Sequence, residues 1–248
     1  MAEIIKTTGI VIGSRKHTID AARMLTIFSP ELGRFSAVIR GVEKPKAKLA
    51  SASQPFCFGE FMLAEKNGFY TVTDCYIYDS FFSLAYNLDS YVLGSSMLEV
   101  TGKLVQEGES NLELFTLLLN CLKVLAYEKA EPTGVAIKFL METLKISGFG
   151  FDVSSCEVCH KSFENENSVG LVYTGSGAVC TAHKGKTEHI DLSYAEWQII
   201  KTLNETGVNK LGTLRFHDRE SLTSSLSLLL KQFYYRTGEK INSLQKYF

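Results

Sequence analysis

The sequence predicts a mixed α+β fold: a small five-stranded β-barrel over residues 1–80, then a helical bundle over 81–248 that is interrupted by a cysteine-containing hairpin segment at 151–190. Three observations predict it. The first 80 residues hold short, strand-like apolar runs separated by turn chemistry. Beyond Asp79 the apolar period becomes that of amphipathic helices. Between two helical stretches, Cys156, Cys159, Cys180 and His183 form a CxxC, a 20-residue interval and a CxxH.

The five runs lie near 4–13, 22–29, 34–42, 56–65 and 69–78. Asn67-Gly68, between Glu65-Lys66 and Phe69-Tyr70, is the strongest hairpin signal, because both residues tolerate the positive φ that a two-residue turn requires. It pairs the last two strands. Glu31-Leu32-Gly33-Arg34 supplies a second turn. A closed sheet of this size resembles an OB-fold, and an SH3-like barrel leaves a similar pattern. Residues 80–108 hold one or two helices. Leu112, Phe115, Leu119, Leu122 and Ala126 share one helical face, and Ala136, Phe139, Leu140 and Leu144 share another that ends at Gly148. Ser193 to Glu196 reads as a capping box, with Leu192 and Trp197 as its hydrophobic staple. Leu222, Leu226, Leu229, Leu230 and Phe233 define a final helix, which ends in the basic and aromatic stretch Lys231 to Arg236. The helices on both sides of the cysteine hairpin are expected to pack as one bundle.

With 248 residues, 45% of them hydrophobic, the chain has ample material for a core. No apolar run approaches the ~20 residues of a membrane span, and Met1-Ala2-Glu3-Ile4-Ile5-Lys6 lacks a signal peptide's basic start and long apolar centre. The expected location is the cytoplasm, with no membrane partner. Six cysteines, of which Cys57, Cys75 and Cys121 stand alone in apolar runs, do not make a disulfide framework in a chain this long. The formal net charge of −1 conceals an asymmetry: residues 1–50 carry nine Lys and Arg against four acids, whereas residues 81–248 carry 16 against 19. A positive region on a nearly neutral protein points to a polyanionic partner for that region.

Two cysteines separated by two residues turn both sulfurs toward one point, and a second knuckle closes a tetrahedron around Zn²⁺. Four protein ligands leave no position for water, so Cys156, Cys159, Cys180 and His183 predict one structural zinc per chain, with no catalytic metal. Gly170 to Thr174 reads as a strand, Gly175-Ser176-Gly177 as a turn and Ala178-Val179 as the return strand. His160 and His189 each stand close enough in sequence to replace His183. The plain alternative is a set of ordinary reduced thiols with a chance histidine.

Catalytic motifs fail on inspection. Gly185-Lys186-Thr187 looks like the end of a phosphate-binding loop, but the first glycine of that motif would fall on Cys180. No histidine begins an HxE, and neither HExxH nor GxSxG is present. The chain is therefore read as a non-enzyme. What remains is the basic stretch, with Arg15, Lys16, Arg23, Arg34, Arg40, Lys44, Lys46 and Lys48 interleaved with apolar strands. For a single lysine the default is a solvated charge, whereas a cationic loop beside a barrel face suits a phosphate backbone. Phe35, Phe69 or Tyr70 would stack on bases if exposed, although most such aromatics belong to a core.

The order of these parts resembles the bacterial RecO family of DNA-repair proteins over nearly the whole chain. The resemblance rests on Gly9-Ile10-Val11-Ile12, Arg15, Leu25 to Ser29 with Gly33-Arg34, Gly41 to Lys48 leading to Gln54-Pro55-Phe56, Leu144 to Gly150, and the closing Tyr-Tyr-Arg run. It implies a non-enzymatic protein that binds single- and double-stranded DNA and anneals complementary strands. It also implies a helper role in loading the RecA recombinase onto strands coated with single-strand-binding protein (SSB). The implied partners are RecR and the acidic C-terminal tail of SSB, and the implied location is at the nucleoid. Glu43 stands where a basic residue is common in the family, and His183 where cysteine is frequent. The regional charge excess assigns DNA contact to Arg15, Lys16, Arg34, Arg40, Lys44, Lys46 and Lys48. Two readings compete: an adaptor that docks proteins through barrel and hairpin, and a zinc-ribbon factor of the transcription type whose metal module touches DNA.

Overall fold

Strand β1 (Glu3–Lys16) is long enough to serve two neighbours, and that length closes the barrel. In the computed structural model, which describes residues 3–18, 21–44, 46–164, 166–175 and 177–244, its first part from Glu3 to Ile10 pairs antiparallel with β4 (Phe58–Lys66). The rest, to Lys16, pairs with β2 (Arg23–Ser29). β3 (Gly33–Ile39) follows β2 antiparallel, and β5 (Phe69–Asp79) follows β4 across the Asn67-Gly68 turn. A short parallel contact, Ala37 to Ile39 against Tyr70 to Val72, completes the circuit β1-β2-β3-β5-β4.

That parallel contact leaves the first half of β3 without a strand neighbour on one side. Residues 105–109 cover it: Arg34 bridges to Glu107, and the Gly108 N–H donates to the Arg34 carbonyl at 3.0 Å. An open edge with unpaired backbone groups is thereby closed. Gly33 has φ +67°, and a Cβ there would collide with the Glu109 backbone, so only glycine fits. Inward residues alternate along the strands, with Val11, Leu25, Ile27, Phe35, Ile39, Phe61, Leu63 and Val72 forming the barrel core. The alternation breaks twice within β5, at Thr73 and again at Tyr78, where the register against β4 shifts. Leu63 pairs with Val72 but Met62 pairs with Asp74, so Thr73 is an extra residue and the side chains from Asp74 to Ile77 change face. Cys75 and Ile77 therefore pack against the core.

Three helices follow, α1 (Leu88–Leu104), α2 (Leu112–Tyr127) and α3 (Pro132–Ile146). The chain divides into two compact units, Met1–Ser83 with Leu98–Leu118 and Leu84–Met97 with Leu119–Phe248, so α1 and α2 each give a part to both. Within the first unit, Phe115 packs edge-on against Phe28 at 5.5 Å. The second unit contains a three-stranded sheet, β6 (Ser168–Val172), β7 (Ala178–Val179) and β8 (His189–Ser193) in the order β7-β6-β8, and two more helices, α4 (Tyr194–Glu205) and α5 (Arg219–Thr237). α3 packs against both α4 and α5, so helices from either side of the cysteine hairpin share one bundle, as the sequence predicts. Ser193 and Glu196 form the expected capping box. Among the described residues no helix is long and apolar enough to cross a membrane.

α3 is buried on nearly every side, and it carries Lys138 into the core. The ammonium lies 2.7 Å from Glu142 and donates to the Asn204 carbonyl, near the C-terminal end of α4, at 3.2 Å. Both the charge and the helix end need that partner. Lys138→Ala is expected to lower stability by about 3 kcal/mol in urea unfolding, the low end for a broken buried pair, because the Glu142 side chain stays 25% exposed.

Candidate metal centre and cationic barrel end

The first knuckle is a tight turn in which the His160 N–H returns to the Cys156 carbonyl at 2.8 Å. Cys156 is also bridged to Ala178 of β7, which brings it beside Cys180 at the end of that strand. A short 3-10 turn, Thr181–Lys186, then places His183 over the same point, its N–H donating to the Cys180 carbonyl at 2.9 Å. The three sulfurs and a His183 ring nitrogen all lie within 4.8 Å of one another. Cys159 Sγ is 3.9 Å from Cys180 Sγ, and His183 Nδ1 is 3.2 Å from Cys180 Sγ and 3.6 Å from Cys156 Sγ. A zinc tetrahedron has edges of about 3.8 Å between sulfurs and about 3.6 Å between sulfur and nitrogen, by its usual bond lengths.

Metal binding needs thiolates. Burial pushes the Cys156 thiol up, but the backbone N–H groups of Cys159, Cys180 and Val158 point at it, and it comes down to about 6. Burial and the neighbouring thiols hold Cys180 up, so the geometry carries the reading: the cluster can hold a metal ion, and three sulfurs with one imidazole are compatible with zinc. His183, and neither of the alternatives, joins the sulfurs. His160 turns outward at φ +59°, and His189 donates from Nδ1 to the Thr187 carbonyl at 2.8 Å, with Nε2 facing Asp191.

Two supports of this segment have no place in the motif-based reading of the sequence. β8 adds a third strand on the far side of β6, and its signal is the alternation of Ile190 and Leu192 with Asp191 and Ser193. The second is the end of α5. Gln232 donates to the Val172 carbonyl at 3.1 Å, Arg236 reaches the carbonyls of Val172 and Gly175, and Tyr235 stacks on Tyr173 at 4.3 Å. The Tyr-Tyr-Arg run therefore clamps the hairpin. Ser176, in the predicted turn, lies outside the described residues.

The strand register gathers most of the predicted basic residues. Lys16 pairs with Arg23 and Arg23 with Ile39, so Arg15, Lys16 and Arg40 reach one end of the barrel. From that end departs the segment carrying Lys44, Lys46 and Lys48; Pro45 within it lies outside the described residues. All six are exposed. Two acids position the segment. Glu43 lies 3.4 Å from Arg23, and Asp74 takes the Lys48 ammonium at 3.1 Å, which holds its carboxyl below the usual range. Arg34 is not brought there. It pairs with Phe28 toward the opposite end, half-buried, and its Nε donates to the Val105 carbonyl at 2.8 Å. Arg34→Ala is expected to cost about 1–2 kcal/mol of stability. The same variant should leave the salt dependence of DNA binding as in wild type.

Of the aromatics singled out from sequence, Phe35 is in the barrel core, Tyr70 packs on it at 5.2 Å and Phe69 is exposed beside the Asn67-Gly68 turn. Tyr76 and Tyr78, on the later part of β5, are exposed as well, which the sequence pattern alone does not reveal.

Comparison with known proteins matches residues 1–81 to the family described as Recombination protein O N terminal, and residues 85–245 to Recombination protein O C terminal. Similar curated proteins include the DNA repair protein RecO of Clostridium novyi (strain NT), 26% identical over 93% of this chain and 90% of that protein. The DNA repair protein RecO of Clostridium perfringens (strain 13) is 24% identical over 98% of each. That of Desulforamulus reducens is 29% identical over 93% of this chain and 88% of its own length.

Proposed function

The chain belongs to the RecO family of DNA repair proteins, and on that premise we propose that it is a non-enzymatic mediator of DNA repair and homologous recombination. It binds single- and double-stranded DNA, anneals complementary strands and helps load RecA on single strands coated by SSB. Residues 1–80 are the nucleic-acid-binding part, and residues 81–248 the helical part, interrupted by the metal segment 151–190. RecR and the acidic C-terminal tail of SSB are its protein partners, and it works in the cytoplasm at the nucleoid.

The observation that supports this reading best is the gathering of exposed Arg15, Lys16, Arg40, Lys44, Lys46 and Lys48 at one barrel end. Two complementary strands repel through their phosphates, and a cationic surface lowers that repulsion while leaving base edges free to pair. Sequence-independent contact is enough. Cys156, Cys159, Cys180 and His183 hold one Zn²⁺ per chain; with four protein donors and no open position, the ion braces the fold and takes no part in chemistry.

The test is a titration against single-stranded and duplex DNA at several salt concentrations, joined to an annealing assay on SSB-coated strands. The reading expects affinity that falls steeply with salt for both substrates, and faster annealing. DNA binding without any effect on coated strands would leave a nucleic-acid-binding protein that is not a mediator.

A further inference from the structure

The bulge at Thr73 turns the second half of β5 over, so Tyr76 and Tyr78 project from the barrel wall with 71% and 50% of their surface exposed. They are held in place. The two rings lie 5.5 Å apart, Tyr78 rests on Phe58 at 5.3 Å, and Phe58 in turn packs on the buried Phe115. A row of aromatics thus begins in the core and runs out into solvent, presenting ring faces already ordered by packing within the unit.

The position of the row matters as much as its exposure. Asp74 stands two residues before Tyr76 on the same outward face, and the Lys48 ammonium sits on it at 3.1 Å. That ion pair ties the lysine-bearing segment alongside the tyrosines and offsets one carboxylate on their strand, while Glu60, paired directly across from Tyr76, lies 3.8 Å from the Lys6 ammonium. Exposed Lys44 and Lys46 belong to the same segment. Cations beside fixed, exposed aromatic rings suit a single strand, whose phosphates follow the charge while its unpaired bases stack on the rings. A duplex meets the cations equally well but keeps its base faces inside its own stack.

We propose that Tyr76 and Tyr78 form a base-stacking platform for unpaired nucleotides, and that this platform sets the barrel's preference for single strands over duplex. The inference rests on the proposed nucleic-acid function and adds to it what is recognised, namely the exposed faces of unstacked bases. Stacking leaves the pairing edges of those bases free, which is what annealing needs.

The experiment measures affinity for a labelled thymidine oligonucleotide and for a duplex of the same length, by anisotropy, on the full chain. Tyr76→Ala and Tyr78→Ala should each weaken single-strand binding roughly tenfold and duplex binding less than about twofold, with the salt slope unchanged. Tyr76→Phe with Tyr78→Phe should bind as wild type, since the ring is kept. Equal losses on both substrates would overturn the platform, as would a change in self-association with DNA binding intact. Wild-type binding in the tyrosine variants, with binding abolished in Lys44→Glu/Lys46→Glu, would overturn it while leaving the charged surface standing. Unaltered binding in both sets would remove the charged surface as well.

Discussion

Changing Cys180 to serine is expected to abolish metal retention and to lower the stability of the unit that contains it by about 3 kcal/mol or more. Cys180 is buried, directly follows β7, and lies 3.2 Å from His183 Nδ1. Without its sulfur the remaining donors span the gap between two knuckles that the backbone joins through little more than the two-residue strand β7 and the bridge from Cys156 to Ala178. The buried side chains of β6 and β8, and the clamp from Gln232 and Arg236, limit the damage to the hairpin and its neighbours. Metal content by mass spectrometry and urea unfolding followed by circular dichroism give the two readouts. Protein that remains folded should bind DNA as wild type does. Loss of affinity with the fold intact would move the proposed nucleic-acid surface to the metal module.

Reversing charge at the barrel end has the second large effect. Arg40→Glu with Lys44→Glu and Lys46→Glu replaces three exposed cations by anions, and the expected loss in single-strand affinity at low salt is about a hundredfold. The three residues follow β3 or stand in the exposed segment after it, so urea stability should change little. The annealing rate should fall with the affinity. Lys48 is left out because its ammonium already serves Asp74.

Much of this architecture is written in local patterns. Asn67-Gly68 marks the β4–β5 hairpin, Ser193 and Glu196 mark the start of α4, and the CxxH spacing identifies His183 because one short turn joins it to Cys180. β1 runs three residues beyond its predicted end because Ser14, Arg15 and Lys16 are held by backbone pairing with β2, which hydrophobicity does not register. β4 begins two residues late, since Phe56 adopts φ +71° and the Cys57 N–H turns back to the Gln54 carbonyl. The stacking tyrosines are hidden for a related reason. With Tyr70 and Val72 facing inward, strict alternation sends Asp74, Tyr76 and Tyr78 inward too, and only the register against β4 reveals the extra residue at Thr73. Arg34 shows the limit of reading charge from composition: its neighbours in sequence place it among the basic residues, while a carbonyl 71 positions away in the chain holds its guanidinium.

The central claim is that one end of the barrel meets the phosphate backbone, and salt dependence tests it most directly. The logarithm of the association constant for single strands, plotted against the logarithm of salt concentration, should fall linearly for the wild type. It should be shallower by about 1.4 for Lys44→Glu/Lys46→Glu, at about 0.7 for each phosphate that the variant no longer neutralises. Arg34→Ala should keep the wild-type slope. Equal slopes and affinities for wild type and the lysine variant would contradict the account.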